Sequence, residues 1–336
     1  MIKTVQSPTY KVDKNRYSRF DKRETVFGRK IHDPHADFYQ IDMYDNIEDI
    51  IDEDEEGYSH IDFARTMGAW TVYDYFHGAF SWSKLGEANN VMRKPKMDQY
   101  KIEDKSEMSE IVKETAKNYG ASKVGITEIN KDWLYSHNYD GEKIDIPDDY
   151  NHAIVMAIEQ DYSKLKESPS FVACTESALG YSKMAFSIGC SAEFIRNLGY
   201  GAIPMGNDTA LSIPLAIDAG LGELGRNGLL ITPEFGPSVK ICKVFTNMPL
   251  EKDEPISFGV KEFCRSCKRC AEACEADAIQ SKENPSFEIE TKSNNEGIKR
   301  WSVNHDKCYQ FWIENGGSCS NCIKACPFVQ KDVSGK

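Results

Sequence analysis

The pattern of apolar and polar positions along the middle of the chain predicts helices that alternate with strands. Asp104 with Glu107 is typical of a helix start, and apolar residues then recur at helical spacing up to a stop at Gly120. A longer run with the same spacing predicts a helix over residues 171–197. Continuous apolar stretches predict strands at residues 123–127, 152–159, 200–204 and 239–245. Together they predict a layered α/β core.

The segments that precede this core differ from it in composition. Residues 1–30 carry nine Lys or Arg, whereas residues 31–62 carry twelve acidic residues and no Lys or Arg. This pair is either an N-terminal arm packed on the domain or two solvated faces. The stretch from residue 70 to residue 82 is rich in aromatic residues, which suits a core or an apolar pocket. We therefore expect an arm and aromatic segment over residues 1–100, the core over 101–255 and a separate module over 256–336.

Composition narrows the classes of function. The chain has 336 residues and a net charge of −12, so a general nucleic-acid-binding role is disfavoured because phosphate attraction needs a basic surface. The longest apolar run, residues 153–158, is far shorter than the ~20 residues of a membrane span. The first residues show neither an apolar signal segment nor an Arg-Arg pair. We expect either a cytoplasmic chain or a mature form whose leader has been removed.

The cysteines are concentrated near the C-terminal end. Eight of the eleven lie between Cys264 and Cys326, which is unlike the even scatter of a secreted disulfide scaffold. Cys264 begins a C-x₂-C-x₂-C-x₃-C run, and Cys319 begins a C-x₂-C-x₃-C-P run that Cys308 precedes. In two-cluster ferredoxins the fourth cysteine of such a run binds the other [4Fe–4S] cluster. The spacing therefore predicts two clusters wired crosswise, with cluster 1 held by Cys264, Cys267, Cys270 and Cys326, and cluster 2 by Cys274, Cys308, Cys319 and Cys322.

Zinc is the main alternative for these motifs, since C-x₂-C pairs also bind Zn²⁺. Zinc sites rarely use a tight three-plus-one pattern, which favours the clusters. One departure is Glu275, which stands after Cys274 where ferredoxins usually have proline. We expect the remaining cysteines to be packing thiols; they are Cys174, Cys190 and Cys242.

A glycine-rich stretch between the third and fourth strand candidates is the natural place for a large cofactor. Four glycines fall within nine residues of the segment 219–228, and glycine allows a close approach of the backbone to a ligand. Gly220, Gly222 and Gly225 have the spacing of a dinucleotide fingerprint, but helical residues rather than a strand precede them. Nicotinamide binding is therefore disfavoured, and a plain glycine-rich turn is the alternative to a cofactor site.

Between about residues 60 and 328 the sequence resembles the corrinoid-dependent reductive dehalogenases. The stretches that carry the resemblance are Gly180-Tyr181-Ser182, Gly206-Asn207-Asp208, the run from Leu221 to Arg226, the run from Ile231 to Pro237, the paired cysteine motifs, and Trp301 to Pro327. The resemblance implies a nitroreductase-like corrinoid-binding domain followed by a ferredoxin-like two-cluster module. It also implies a cobalamin derivative bound base-off, without a histidine below cobalt. The nearest match to a histidine-on motif, residues 33–38, lacks its glycine.

The resemblance also implies roles for individual residues. Tyr181 falls on the family's proton donor, Lys240 on its nearby basic residue and Asn207 on its pocket asparagine. A tyrosine hydroxyl is a weak acid, and a neighbouring cation makes proton donation easier by stabilising the phenolate. The candidate cofactor-binding residues are Gly206, Ser212, Gly222, Gly225 and Arg226. The candidate substrate-pocket residues are Trp70, Phe76, Tyr309 and Trp312, since aromatic side chains suit apolar chlorinated compounds.

The function that these features indicate is reductive dehalogenation of a small organohalide, with a chlorinated aliphatic favoured because no carboxylate- or phenolate-binding cluster is evident. Two alternatives stay open: an epoxyqueuosine reductase, which shares the corrinoid and the two clusters, and a ferredoxin-type electron-transfer protein. The resemblance further implies a small membrane-anchor protein, an upstream electron donor, no nucleic-acid partner, and a place at the outer face of the cytoplasmic membrane. It leaves room for a homodimer.

Overall fold

The computed structural model of the chain describes residues 2–77, 95 and 97–329, and of residues 74–77 it describes the backbone alone. The helices are α1 Val26–His32, α2 Ile47–Asp52, α3 His60–His77, α4 Lys105–Asn118, α5 Tyr162–Leu165, α6 Phe171–Asn197, α7 Ser212–Asp218, α8 Val260–Ser266, α9 Arg269–Glu272, α10 His305–Glu314 and α11 Asn321–Lys324. The strands are β1 Lys3–Thr4, β2 Lys123–Glu128, β3 His152–Glu159, β4 Ala202–Met205, β5 Glu223–Leu224, β6 Leu230–Ile231, β7 Val239–Thr246 and β8 Ile256–Ser257.

The core is a four-stranded antiparallel sheet in the order β2-β3-β7-β4. The predicted strand at residues 152–159 and the predicted helix at 171–197 are confirmed with the same bounds. The other strands differ from their predicted bounds by one or two residues at an end. The start of α4 is confirmed as well, because the Asp104 carboxylate accepts hydrogen bonds from the backbone N–H groups of Ser106 and Glu107.

Both faces of the sheet are covered, which explains why β3 is apolar along its whole length. Ile154, Met156 and Ile158 point to the face packed by α4 and α6, and the alternate residues of β3 point to the face packed by α7. The same alternation separates two lysines of β7. Lys240 and Lys243 differ by an odd number of positions, so they lie on opposite faces. Their roles differ accordingly.

The N-terminal segment runs across the rest of the chain. Strand β1 pairs with β8, and Val12 forms a bridge with Ile298 in the C-terminal part. The basic and acidic stretches meet through ion pairs of Arg29 with Asp33 and of Lys30 with Asp42. These contacts favour the packed arm over two solvated faces.

The cysteine-rich part contains little regular structure. Four short helices, α8 to α11, are joined by turns over residues 260–324. The layered α/β core with a cysteine-rich module at its C-terminal end is the predicted fold class, and it is confirmed. The boundaries predicted at residues 100 and 255 stay a prediction. Within the described residues, no helix combines the length and the apolar character needed to cross a bilayer.

Candidate active site and cluster module

Tyr181 lies on α6 at the centre of a group of aromatic and cationic side chains. The Trp70 ring stacks on the Tyr181 ring with centroids 5.1 Å apart, and the Tyr73 ring lies 5.0 Å away. On the sheet side, the Lys240 ammonium lies 4.6 Å from the centroid of the Tyr181 ring. A cation at this distance over an aromatic face is attracted to the ring. The resemblance predicted the Tyr181 and Lys240 pair, and the structure brings the two together.

The residues on either side of Tyr181 explain how it is held. A Cβ atom at Gly180 would come within 2.9 Å of Cγ of Lys240, so a glycine is needed for the lysine to pass under the helix. The Ser182 hydroxyl donates a hydrogen bond to the carbonyl of Ala69 at 2.6 Å and accepts one from the backbone N–H of Tyr73. The three-residue motif thus fixes β7 on one side and α3 on the other.

Asn207 orients the Tyr181 hydroxyl. Its side-chain Nδ2 donates a hydrogen bond to the hydroxyl oxygen at 3.1 Å. Because the oxygen acts as an acceptor there, its own proton is free to point to another group. Asn207 belongs to the loop between β4 and α7, so the site combines a helix, a strand and a loop.

Lys243 holds that loop, a role that the sequence pattern did not predict. Its ammonium, buried on the α7 face of the sheet, donates hydrogen bonds to the carbonyls of Gly206 at 2.6 Å and Ala210 at 2.8 Å, and to the Ser212 hydroxyl at 3.0 Å. Burial lowers the pKa of Lys243 to about 8. A lysine within a buried strand indicates that acceptors for its ammonium lie nearby, because an unpaired buried charge is costly.

A cavity of about 390 Å³ adjoins the site. Asn207 lines it, as do Ser212, Tyr139 and apolar side chains of the N-terminal arm and α7. Its size and mostly apolar lining are those of a site for an organic ligand. Since Asn207 also contacts Tyr181, the cavity begins within one side chain of the candidate proton donor. The glycine-rich segment 219–228 predicts a cofactor site, and its Gly228 lines the cavity together with the predicted Ser212.

Several polar residues of the cavity wall were not predicted. Those with a perturbed pKa or an unmet donor are Lys22, Asn295, Arg300 and His305. Burial lowers the pKa of Lys22, lowers that of Arg300 to about 10 and lowers that of His305 to about 4. The buried Asn295 side chain leaves its Nδ2 without a hydrogen-bond partner. Lys22 comes from the N-terminal arm and the other three from residues 295–305, and no sequence motif marks either segment.

The cysteines assigned to cluster 1 lie together around one small cavity. Its lining includes Cys264, Cys267, Cys270 and Cys326, together with Pro327. Burial and the other three thiols together raise the pKa of Cys270 to about 12, and burial is the larger cause. A set of mutually close thiolates needs a cationic metal centre to offset their repulsion. These four residues fit the cluster that the spacing predicted.

The cysteines assigned to cluster 2 form a second group. Burial raises the pKa of Cys322 well above its ordinary value, and the next causes are Cys308 and Cys319, followed by Cys270 and Cys274. Cys270 belongs to the first group, so the two groups are neighbours at this point. No three His, Cys, Asp or Glu side chains of the described ranges form a compact site for a single metal ion.

Arg226, a predicted cofactor-binding residue, lies against the first cysteine group and does not line the large cavity. It is buried, and its guanidinium donates hydrogen bonds to the backbone carbonyls of Cys264, Cys267, Gln280 and Lys282. It also lies 4.7 Å from the centroid of the Trp301 ring. Arg226 therefore holds the cysteine loop.

Two predicted cofactor-binding glycines, Gly222 and Gly225, likewise lie away from the large cavity. A Cβ at Gly222 would come within 2.1 Å of the carbonyl oxygen of Ile231, and one at Gly225 within 2.9 Å of the Ile231 side chain. Both allow close packing of the β5–β6 hairpin and do not line the large cavity. Gly206 and Ser212, by contrast, lie in the loop held by Lys243, and Ser212 reaches the cavity.

Two of the four predicted pocket aromatics lie elsewhere. Tyr309 and Trp312 lie on α10, where they pack against Phe27, and Tyr309 also packs against Phe38. Neither lines the large cavity nor makes a ring contact with Tyr181 in the described part of the chain. Helix α10 turns these aromatic side chains toward the N-terminal arm. Of the other two, Trp70 stacks on Tyr181, and the side chain of Phe76 lies outside the described residues.

A half-buried aromatic and cationic site beside a large cavity, together with two cysteine groups, is the arrangement expected of an iron–sulfur redox protein. Residues 263–329 match the family described as a 4Fe-4S dicluster domain. The tetrachloroethene reductive dehalogenase of Desulfitobacterium hafniense is 35% identical over 81% of this chain and 62% of its own length. That of Sulfurospirillum multivorans is 36% identical over 68% of this chain and 52% of its own length.

The fold leads to the same class. A solved reductive dehalogenase, described with a mechanism for B12-dependent dehalogenation, superposes with a TM-score of 0.79 at 23% identity, covering 98% of this chain and 45% of that one. The chain is thus similar in sequence to tetrachloroethene reductive dehalogenases and shares the fold of a solved reductive dehalogenase, which confirms the resemblance that its motifs indicated. It spans about three-fifths of the length of the first of these relatives and about half of the second.

Proposed function

We propose that the chain is a reductive dehalogenase that replaces a halogen of a small organohalide by hydrogen. The observation that carries the proposal is the Tyr181, Asn207 and Lys240 arrangement next to the 390 Å³ cavity. The overall reaction consumes two electrons and one proton, breaks the carbon–halogen bond, forms a carbon–hydrogen bond and releases halide. The relatives act on tetrachloroethene by name, which supports a chlorinated aliphatic substrate.

The proposed cofactors are a corrinoid in the large cavity and two [4Fe–4S] clusters on the eight cysteines. The corrinoid, when bound, supplies two-electron reduction at the carbon–halogen bond, and the clusters supply electrons one at a time. The apolar cavity wall, with an unpartnered amide at Asn295, suits a large ring system with polar edges. The cluster ligands are those of the sequence prediction.

The proton is the part of the reaction that the chain's own residues control. The Tyr181 hydroxyl accepts from Asn207, which frees its proton for the substrate carbon. The phenolate that remains is stabilised by the Lys240 ammonium beneath the ring. Trp70 and Tyr73 pack against the tyrosine ring and hold it in place.

The order of the cysteine groups suggests an electron path. Trp301 and Val303 both line the large cavity; Trp301 packs with cysteines of the first group, and Val303 with cysteines of both groups. The two groups are neighbours where Cys270 approaches Cys322. We propose that electrons pass between the two groups and reach the cavity by way of Trp301 and Val303.

The test begins with anaerobic reconstitution of the chain with iron, sulfide and cobalamin. Reduced viologen then drives turnover over a panel of chloroalkenes, chloroalkanes and halophenols. Tyr181→Phe should lower turnover by about 10²- to 10⁴-fold while iron content and corrinoid content stay unchanged. Tyr119→Phe, which removes the same atom at the end of α4, is the matched control.

Full turnover in Tyr181→Phe would contradict its role as proton donor. Absence of corrinoid binding would contradict the proposal and favour the ferredoxin-type electron-transfer protein. Reduction of an epoxyqueuosine-containing tRNA, with no activity toward any halocarbon, would favour the second alternative.

Base-off binding has its own test, because one histidine lines the cavity. Burial keeps the pKa of His305 at about 4, so its ring is neutral at pH 7 and has a free lone pair. We propose that this ring does not coordinate cobalt. The electron paramagnetic resonance spectrum of the cob(II)alamin-loaded protein should then lack nitrogen hyperfine splitting. A splitting that vanishes in His305→Phe would contradict the proposal.

Partners and location are proposals from the family relationship alone. We propose a small membrane-anchor protein, a separate electron donor and a place at the outer face of the cytoplasmic membrane. Fractionation of native cells, with the accessibility of the chain to protease in intact spheroplasts, tests them together. Protection from the protease in intact spheroplasts would contradict the outer-face location.

A further inference from the structure

One wall of the cavity, formed by residues 293–305, carries a positive charge that no carboxylate offsets. Arg300 lines the cavity, and its Nη2 donates to the carbonyl of Asn295 at 2.8 Å. Within the described part of the chain, the residues that line the cavity include neither Asp nor Glu. A guanidinium is costly to bury when it has no anionic partner. The wall is therefore built for a ligand with negative charge.

A second donor lies beside this arginine. The Asn295 side chain is 6% exposed, and its Nδ2 has no hydrogen-bond partner. An amide nitrogen carries two N–H groups, so a contact with the neighbouring Tyr17 hydroxyl still leaves one of them unmet. Buried amide groups without partners are rare in folded proteins, so an unmet donor on a cavity wall points to an acceptor on the ligand.

We propose that Arg300 and Asn295 bind the phosphodiester of the corrinoid's nucleotide loop. The inference rests on the proposed function, since it concerns the same cavity. The peripheral side chains of a complete corrinoid are neutral amides, and the phosphodiester is its anionic group. An arginine fork matches phosphate oxygens, and the asparagine adds a neutral donor. The site thus selects corrinoids that keep the nucleotide loop.

The neighbouring residues agree with this assignment. Trp301 and Val303 from the same segment line the cavity, and Val303 packs against Gly228 from the glycine-rich stretch. His305 completes the wall with a neutral ring, since its pKa lies near 4. An anion bound here meets a cation and neutral donors and no opposing carboxylate of the described lining.

The experiment measures corrinoid affinity and does not depend on turnover. The full chain, loaded with both clusters but free of corrinoid, is titrated anaerobically with three probes. They are cobalamin, cobinamide phosphate, which keeps phosphate but lacks the nucleoside, and cobinamide, which lacks both. Binding is followed by the corrinoid absorbance of the protein-bound fraction after rapid gel filtration.

In Arg300→Gln the affinities for cobalamin and cobinamide phosphate should fall about tenfold or more, whereas that for cobinamide stays unchanged. Lys299→Gln removes the same charge one residue away, outside the cavity lining, and should change none of the three affinities. Arg300→Lys keeps the charge but lacks the two-pronged guanidinium. Its affinity for the two phosphate-containing probes should lie between those of the parent chain and Arg300→Gln.

Asn295→Asp provides a second variant with an almost unchanged shape. Its carboxylate should weaken the binding of the two phosphate-containing probes and spare cobinamide. It also keeps the proposal testable if Arg300→Gln loses its clusters and does not fold.

Equal weakening of all three probes in Arg300→Gln would overturn the phosphate assignment while leaving the proposed function intact. So would unchanged binding of all three. If the parent chain binds none of the corrinoids, the proposed function itself fails.

Discussion

The site around Tyr181 and the cysteine module are held in different ways. Tyr181 and Lys240 are positioned by a 27-residue helix and a central strand, and they meet through packed side chains. The cysteine module has only short helices, and the buried Arg226 side chain holds its first loop through backbone carbonyls. In the first region we expect a change of side chain to alter the chemistry while the backbone fold stays intact. In the second, we expect the loss of one cation or one ligand to unfold the loop itself.

The strongest test of this difference is the loss of a cluster ligand. Cys270→Ser should remove the first cluster and weaken the second, because Cys270 lies in the first group and next to Cys322. We expect iron content to fall by about half or more and halocarbon turnover to be lost, with iron and labile sulfide assayed together. Cys242→Ala, at a buried core thiol, should keep all the iron. Full iron content in Cys270→Ser would contradict the ligand assignment.

Arg226→Gln tests whether one cation supports the whole first loop. It leaves carbonyls of Cys264, Cys267, Gln280 and Lys282 without their donor, at a cost of about 3 kcal/mol or more. The first cluster should then be lost before the second on mild chelation, followed by electron paramagnetic resonance of the reduced protein. The exposed Arg265→Gln is the control. Simultaneous loss of both clusters at the parent rate would refute this role.

The two lysines of β7 allow the comparison within one strand. Lys243→Gln should lower the free energy of unfolding by about 3 kcal/mol, since it unties the loop from Gly206 to Ser212. Lys240→Gln should lower turnover by about 10- to 100-fold and change stability by about 1 kcal/mol or less. Anaerobic urea denaturation and viologen-linked turnover of both variants separate the effects. Loss of turnover in Lys243→Gln together with loss of stability in Lys240→Gln would show that the two lysines have been assigned to the wrong roles.

The smallest effect is expected at Asn207. Asn207→Ala removes the hydrogen bond to the Tyr181 hydroxyl and should lower kcat by about tenfold, with corrinoid content unchanged. Asn197→Ala, which removes a surface amide bonded to the carbonyl of Glu193, should leave kcat unchanged. An unchanged kcat in Asn207→Ala would mean that the hydroxyl needs no orientation from this residue.

The sequence by itself determined the parts that depend on local periodicity and spacing. The bounds of β3 and α6 follow from apolar runs, because burial on both faces or along a long helix leaves a continuous pattern. The cysteine spacing likewise predicted the two groups, since a short loop has few ways to arrange three thiolates. Family motifs placed Tyr181, Asn207 and Lys240, which the structure brings into contact.

Only the tertiary structure decided which residues line the cavity. Arg226 lies away from that wall, whereas Arg300 and Asn295 lie on it, although all three are polar residues in irregular segments. Tyr309 shares its aromatic character with Trp70, yet it packs against the N-terminal arm. Local sequence does not encode these differences, because a cavity wall is assembled from segments that are distant in the chain and whose directions are fixed by packing.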